Sequence, residues 1–209
     1  MRAVQHACPS SEYSAGALDG VRRSAAACRA CALWKNATQT VFGEGAQSAA
    51  LMLVGEQPGD QEDRAGRPFV GPAGQMLDRA LADAGIDRRK VYVTNAVKHF
   101  KNEPRGKRRI HKKPSEREIE ACEQWLAREI AVVGPKLIVA LGTTAARAVV
   151  GHPTPIERNR GKLMKHLPHT SLLITVHPSM LLRLPQEYKA GAYRQFVKDL
   201  KLAAPFVET

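Results

Sequence analysis

The chain has no run of about 18 apolar residues, so no part of it reads as a membrane-spanning helix. Its opening residues, MRAVQHACPSSEYSAG, lack the apolar stretch of a secretory signal, and a cytoplasmic protein is expected. No Walker A sequence is present, and Gly43-Glu44-Gly45 stops short of a dinucleotide fingerprint, which argues against a nucleotide cofactor. Aromatic residues make up only 5% of the chain, too few for a platform on which successive bases stack. Acidic residues are also scarce: 20 stand against 32 Lys and Arg, a net charge of +12 with His neutral. That excess points to nucleic acid or another polyanion as partner. There are only four cysteines. In a reducing compartment a Cys-x-x-Cys pair signals metal or redox chemistry more often than a structural disulfide.

What is present fits one domain. The 209 residues are enough to bury roughly 70% of the unfolded chain's surface. Residues 1–18 read as a poorly ordered arm carrying Cys8, and 19–209 as a single domain. A helix over 18–27 leads into Cys28-Arg29-Ala30-Cys31, whose spacing lets two thiolates reach one ion or cluster. Strands are expected at 50–55 (ALMLVG), 91–97 (VYVTNAV), 137–141 (LIVAL) and 172–176 (LLITV). Between them lie helices at 75–84, stopped by Gly85, from the Ser115–Glu118 capping box to about 132, and from the Gly142-Thr143-Thr144 turn to 150; a last one covers 186–202. Residues 151–171 read as irregular.

Strands alternating with helices imply right-handed crossovers and a three-layer αβα sandwich around a four-stranded parallel sheet. Ligands of such sheets bind beyond the carboxyl ends of the strands. The segments that follow three of the strands, EQPGD, KHF and HPS, should therefore meet at one edge. The second of them runs into KNEPRGKRRIHKK at 101–113, in which seven of thirteen residues are Lys or Arg and one is His111. So charged a segment must face water or a polyanion, and it is read here as a loop over the cleft.

GEQPGD at 55–60 and HPS at 177–179, with FVGPAG and TNAVK between them, resemble the motifs of the uracil-DNA glycosylase superfamily over about residues 28–202. Lys107-Arg108-Arg109-Ile110-His111 resembles the loop insertion of its UdgX-type branch, which is related to the iron–sulfur family 4 enzymes. The chain departs from the iron–sulfur members at Gln57, where they often have Ala, and at His99, where they have Cys.

The resemblance implies the uracil-DNA glycosylase fold and excision of uracil from DNA, single-stranded by preference, by a monomer. It assigns Phe69 to stacking on the flipped base and Asn95 to its polar edge, with Gly55, Gln57 and Asp60 at the substrate. His177 would donate to the departing uracil anion, and Ser179, Lys107, Arg108 and Arg109 would contact DNA. In the UdgX-type branch the loop histidine, here His111, bonds C1′ of the sugar and leaves a covalent adduct, and Glu56 would accept or orient the other ring proton. A [4Fe–4S] cluster would be held by Cys28, Cys31, His99 and Cys122; the donor types alone also suit zinc. Two other readings share these features: a glycosylase that turns over with water, and a non-catalytic single-strand binder with a structural cluster.

Overall fold

Residues buried on both faces are what a parallel sheet between helical layers requires. The computed structural model describes residues 16–207. In chain order its elements are α1 (Ala17–Ala26), β1 (Leu51–Gly55), α2 (Asp60–Ala65), α3 (Pro72–Asp83), β2 (Val91–Asn95), β3 (Asn102–Arg105), β4 (Arg108–His111), α4 (Glu116–Val133), β5 (Leu137–Leu141), α5 (Thr143–Val150), α6 (Ile156–Asn159), β6 (Leu163–Leu167), β7 (Thr170–Thr175), α7 (Pro178–Arg183) and α8 (Gln186–Lys201). Every residue of β1, β2 and β5 is buried. Successive side chains point to opposite faces. Met52, Val54, Tyr92, Ile138 and Ile174 join a core with α1, α4 and α5, while Leu51, Leu53, Val93, Val139 and Leu173 join one with α3, α7 and α8. The result is the three-layer αβα sandwich expected from the sequence.

Two features differ from that expectation. The sheet has five strands, in the order β2-β1-β5-β7-β6. The first four are parallel, and β6 is antiparallel to β7 inside the stretch read as irregular. Its sequence, LMKHL, mixes Lys and His with apolar residues because it is an edge strand, with Leu163, Lys165 and Leu167 exposed. The basic stretch, in turn, is a two-stranded antiparallel hairpin rather than a loop, β3 pairing with β4 from Asn102↔His111 to Arg105↔Arg108. Its two-residue turn has Gly106 at φ 57°, the first-position glycine that tight hairpin turns favour.

Smaller differences lie at the ends. Helix α3 starts at Pro72, three residues before the expected position, because Gly71 caps it and Pro fits the first helical turn. Strand β2 stops at Asn95, and β7 spans Thr170–Thr175. The capping box of α4 forms as expected, Ser115 N donating to Glu118 Oε2 at 2.6 Å. Leu18, assigned to the arm, is buried in α1; Cys8 lies outside the described residues.

The core beside the sheet holds a charge pair that the sequence pattern does not announce. Lys98 and Glu129 have fully buried side chains in direct contact. All three ammonium protons are engaged: beyond Glu129, Nζ donates to Thr94 Oγ1 and to the Asn95 carbonyl, each at 2.7 Å. Glu129 also receives Gly43 N, Tyr92 Oη and Thr94 Oγ1. A buried pair is tolerable only when saturated in this way. Removing the cation strands a carboxylate in the core, so Lys98→Met is expected to cost about 3–5 kcal/mol in urea denaturation. Lys101→Met, which breaks the partly exposed pair with Glu118, should cost about 1 kcal/mol or less. Similar losses in the two variants would refute this account.

Candidate active site

The register levels the strand ends: Gly55 lies opposite Asn95, and Leu141 opposite Thr175. The residues that follow therefore share one edge. At Gly55 a Cβ would collide with both the Phe69 ring and Asn95 Oδ1, so glycine is what lets these three meet. Phe69 has φ 56° and is the one non-glycine residue with positive φ among the described residues. A bulky residue in that conformation is held by its surroundings. One brace is Glu62, whose carboxylate accepts Gly59 N at 3.0 Å and Gly71 N at 2.6 Å. Asn95 is 3% exposed, and its side-chain amide has no hydrogen-bond partner among the described residues. It is free to pair with a ligand that offers both a donor and an acceptor.

His177 caps α7, its Nδ1 accepting Ser179 N at 3.2 Å and lying 2.8 Å from Ser179 Oγ. Burial lowers its pKa to about 4, with smaller contributions from Arg183 and His111. The ring is therefore neutral, with Nδ1 accepting and Nε2 carrying the proton. Its centroid lies 6.2 Å from that of Phe69. The Ser179 hydroxyl is turned to His177 and also receives Arg183 at 3.3 Å.

The hairpin is tied to this edge by Gln57. Gln57 Oε1 accepts Lys101 N at 3.0 Å, and its Nε2 donates to Lys112 O at 2.9 Å. The remaining N–H points to His111 Nε2 at 2.8 Å. With Oε1 taken by a donor, the amide orientation is set, and His111 Nε2 accepts with its lone pair. Neutral His111 then carries its proton on Nδ1. Burial lowers its affinity for a second proton and Arg183 adds to that, against the opposing pull of Glu56. Glu56 Oε1 lies 3.6 Å from the same nitrogen, Nε2, so it faces the nitrogen that Gln57 faces rather than the other one, as the sequence reading had it. Its second oxygen, Oε2, accepts Thr144 Oγ1 at 2.6 Å. The His111 side chain is 48% exposed and open to a strand laid over the edge.

Arg109 and Asp60 have different surroundings from those expected. Arg109 turns inward, its Nε on Asp60 Oδ1 and its Nη1 on Asp63 Oδ2, both at 2.6 Å, over the Phe100 ring. The guanidinium is paired within the protein and anchors the hairpin, and Asp60 serves as one of its two counter-charges. Asp63, fully buried and also accepting Thr38 N, is the partner that sequence reading missed. Thr144 was missed as well, although its turn follows β5 at the same sheet edge. Lys107 and Arg108 are exposed at the hairpin tip.

Cys28, Cys31, His99 and Cys122 come from the end of α1, the segment after β2 and α4. Among the described residues no three His, Cys, Asp or Glu side chains gather closely enough to ligate a single ion. The three thiols nevertheless lie within electrostatic reach of one another. Burial pushes Cys122 up to about 11, and Cys31 and Cys28 add to the shift. His99 is buried with Nε2 on Thr40 Oγ1 at 3.0 Å and Nδ1 without a partner. A cavity of about 300 Å³ is bordered by Cys28 and His99. The orphaned nitrogen of His99, which shares this cavity with Cys28, is of a donor type that ligates metal, although the four side chains are not gathered into one ligand set.

The model of the uracil DNA glycosylase superfamily matches residues 42–201. The chain is similar to the type-4 uracil-DNA glycosylase of Thermotoga maritima, 38% identical over 183 residues that cover 87% of this chain and 90% of that one. Its counterpart in Pyrobaculum aerophilum is 37% identical over 182 residues, covering 84% and 87%. That of Archaeoglobus fulgidus is 35% identical over 176 residues, covering 81% and 85%. Likeness over nearly the full length of these relatives, on a sandwich whose strand ends carry both motifs, settles descent: the chain belongs to the uracil-DNA glycosylase superfamily.

Proposed function

We propose that this protein excises uracil from DNA, single strands by preference, and then remains bonded to C1′ of the abasic sugar through His111, as in the UdgX-type branch. The observation that carries the reading is the placement of His111 Nε2 against Glu56 and Gln57, at the sheet edge that also bears Asn95 and His177. An extruded base stacks on Phe69 and pairs with the Asn95 amide; extrusion is least costly from a single strand. The C1′–N1 bond breaks with its electron pair going to uracil, and the neutral His177 donates from Nε2 to the resulting anion. The cationic C1′ then takes the lone pair of His111 Nε2 once the Gln57 N–H has turned away from it, and the imidazolium so formed loses its Nδ1 proton to solvent. Glu56 stabilises the positive charge on the sugar and then on the ring. Lys107 and Arg108 grip phosphates from the hairpin tip.

A [4Fe–4S] cluster held by Cys28, Cys31, Cys122 and the orphaned Nδ1 of His99 would tie the end of α1 to α4 and to the segment after β2. Its contribution would be structural. Purified protein is expected to be brown, and Cys122→Ser to lose visible absorbance and iron per chain. Colourless protein containing stoichiometric zinc would replace the cluster with the zinc reading.

Mixed with a uracil-containing single strand, the protein should give a band shift that survives heat and detergent on a denaturing gel. His111→Ser should abolish the shift and still release uracil. An adduct surviving in that variant removes His111 as the nucleophile, and release of uracil by the unaltered protein without any shift supports conventional turnover.

The low pKa of His177 has a further consequence. Its folded value of about 4 lies below the ordinary value near 6.5, so between these limits the unfolded chain binds the extra proton. Stability is then full above about pH 6.5 and is lost as pH falls towards 4. In His177→Asn, urea midpoints measured across this window should fall less steeply; an unchanged slope would contradict the assignment.

A further inference from the structure

Of the four parallel strand ends, that of β5 has no part in the chemistry above, yet its first helical turn touches Glu56. Thr144 is 3% exposed, and its hydroxyl donates to Glu56 Oε2 at 2.6 Å. The bond joins a residue after β5 to one after β1, across two neighbouring strands of the sheet. Glu56 receives no other side-chain hydrogen bond from the described residues. Its two oxygens are thereby distinguished: Oε2 is held from the α5 side, and Oε1 faces His111 Nε2 at 3.6 Å. A carboxylate on a two-carbon stem has several rotamers, and only a fixed partner selects one of them.

We infer that Thr144 is the positioning residue of this site, holding Glu56 by one oxygen so that the other is presented to His111 and the sugar. This rests on the glycosylase reading above, although the orientation of Glu56 can be measured without it. The hydroxyl donor suits the role better than a cation would. An Arg or Lys in its place would neutralise the negative charge that must face the sugar cation, whereas a threonine orients the carboxylate and leaves its charge intact. The β-branched side chain, buried in the first turn of α5, has little rotamer freedom, so the donor itself is fixed.

Thr144→Val keeps the shape and removes the donor, and Thr144→Ser keeps the donor. A hydrogen bond to a charged group supports an expectation of a roughly 10- to 100-fold slower single-turnover uracil release in the valine variant. Its adduct per uracil released should also be lower, because His111 is no longer faced by an oriented carboxylate. The serine variant should recover both readouts to within a few-fold of the unaltered protein, with all three proteins melting at similar temperatures. A crystal structure of Thr144→Val should show the Glu56 carboxylate rotated away from His111 Nε2. Equal rates and adduct fractions for Val and the unaltered protein overturn the inference, as does a serine variant as slow as valine. Should the valine variant fail to fold, the serine variant decides by its rate. If the unaltered protein releases uracil but forms no adduct, the adduct reading fails while the release rates still test Thr144. If it releases none, the rotation of Glu56 in the crystal remains the deciding measurement.

Discussion

The buried contact between Lys98 and Glu129 governs more of this molecule than its size suggests. The segment from Asn95 to Lys101 leaves the end of β2 and serves three neighbours in seven residues. Asn95 faces the pocket, His99 lies beside the thiols, and Lys101 N meets Gln57 at the base of the hairpin. Past β2 its backbone still pairs, Ala96 N and Val97 N donating to the Gly55 and Glu56 carbonyls and the Lys98 carbonyl accepting Val41 N, but the Asn95 carbonyl and the Lys98 N–H draw partners from elsewhere. Lys98 supplies them from inside: its ammonium grips the Asn95 carbonyl from within the core, and its own amide N–H donates to Cys122 Sγ at 3.2 Å. Glu129 closes the arrangement from α4. One ion pair thus fastens the end of β2 to α4, and the same residue ties the segment to Cys122.

A second constraint turns a charged stretch into a defined arm. Seven cations in thirteen residues repel one another, and an isolated two-stranded hairpin is marginal in water. Two internal anchors offset this. Gln57 fastens both strands at the open end through Lys101 and Lys112, and Arg109 reaches between Asp60 and Asp63. The inward Arg109 spends part of the excess charge on internal pairing, while Lys107 and Arg108 remain at the tip. Because both anchors flank His111, they fix the position of the ring along with that of the arm.

The parts legible in the sequence were those set by local pattern. LMLVG and LIVAL are continuous apolar runs because both faces of the sheet are covered, and Ser115 with Glu118 announces α4. The alternation of strands and helices and the carboxyl-edge rule suffice to bring Glu56, Asn95 and His177 to one edge. What stayed hidden depends on partners distant in sequence. LMKHL forms an edge strand only because β7 offers it a free side. Arg109 reads like its neighbours until Asp63 is brought under it. Lys98 looks like a surface lysine in TNAVK, because nothing nearby in sequence signals Glu129. A charged residue takes its role from its counter-charge, and the counter-charge is chosen by the fold.

The two histidines show how environment divides labour between identical side chains. Both lie at one edge with Arg183 disfavouring a positive charge on each. His177 is tucked behind Phe69, and its Nδ1 is committed to Ser179. That leaves a donor at Nε2 and a ring that resists protonation down to about pH 4. His111 is half-exposed on the hairpin, and its Nε2 accepts from Gln57. One histidine thus keeps a proton free at Nε2, and the other holds its Nε2 lone pair on Gln57. In the reaction proposed above, the leaving group becomes an anion and the sugar a cation, and these two opposite faces would serve them. Neighbouring groups decide which is which: the backbone N–H and hydroxyl of Ser179, two residues after His177, and a glutamine that also anchors the arm carrying His111. Because the bond to His177 comes from the backbone of Ser179, that ring keeps its tautomer whatever side chain stands at 179, whereas the tautomer of His111 depends on the Gln57 side chain.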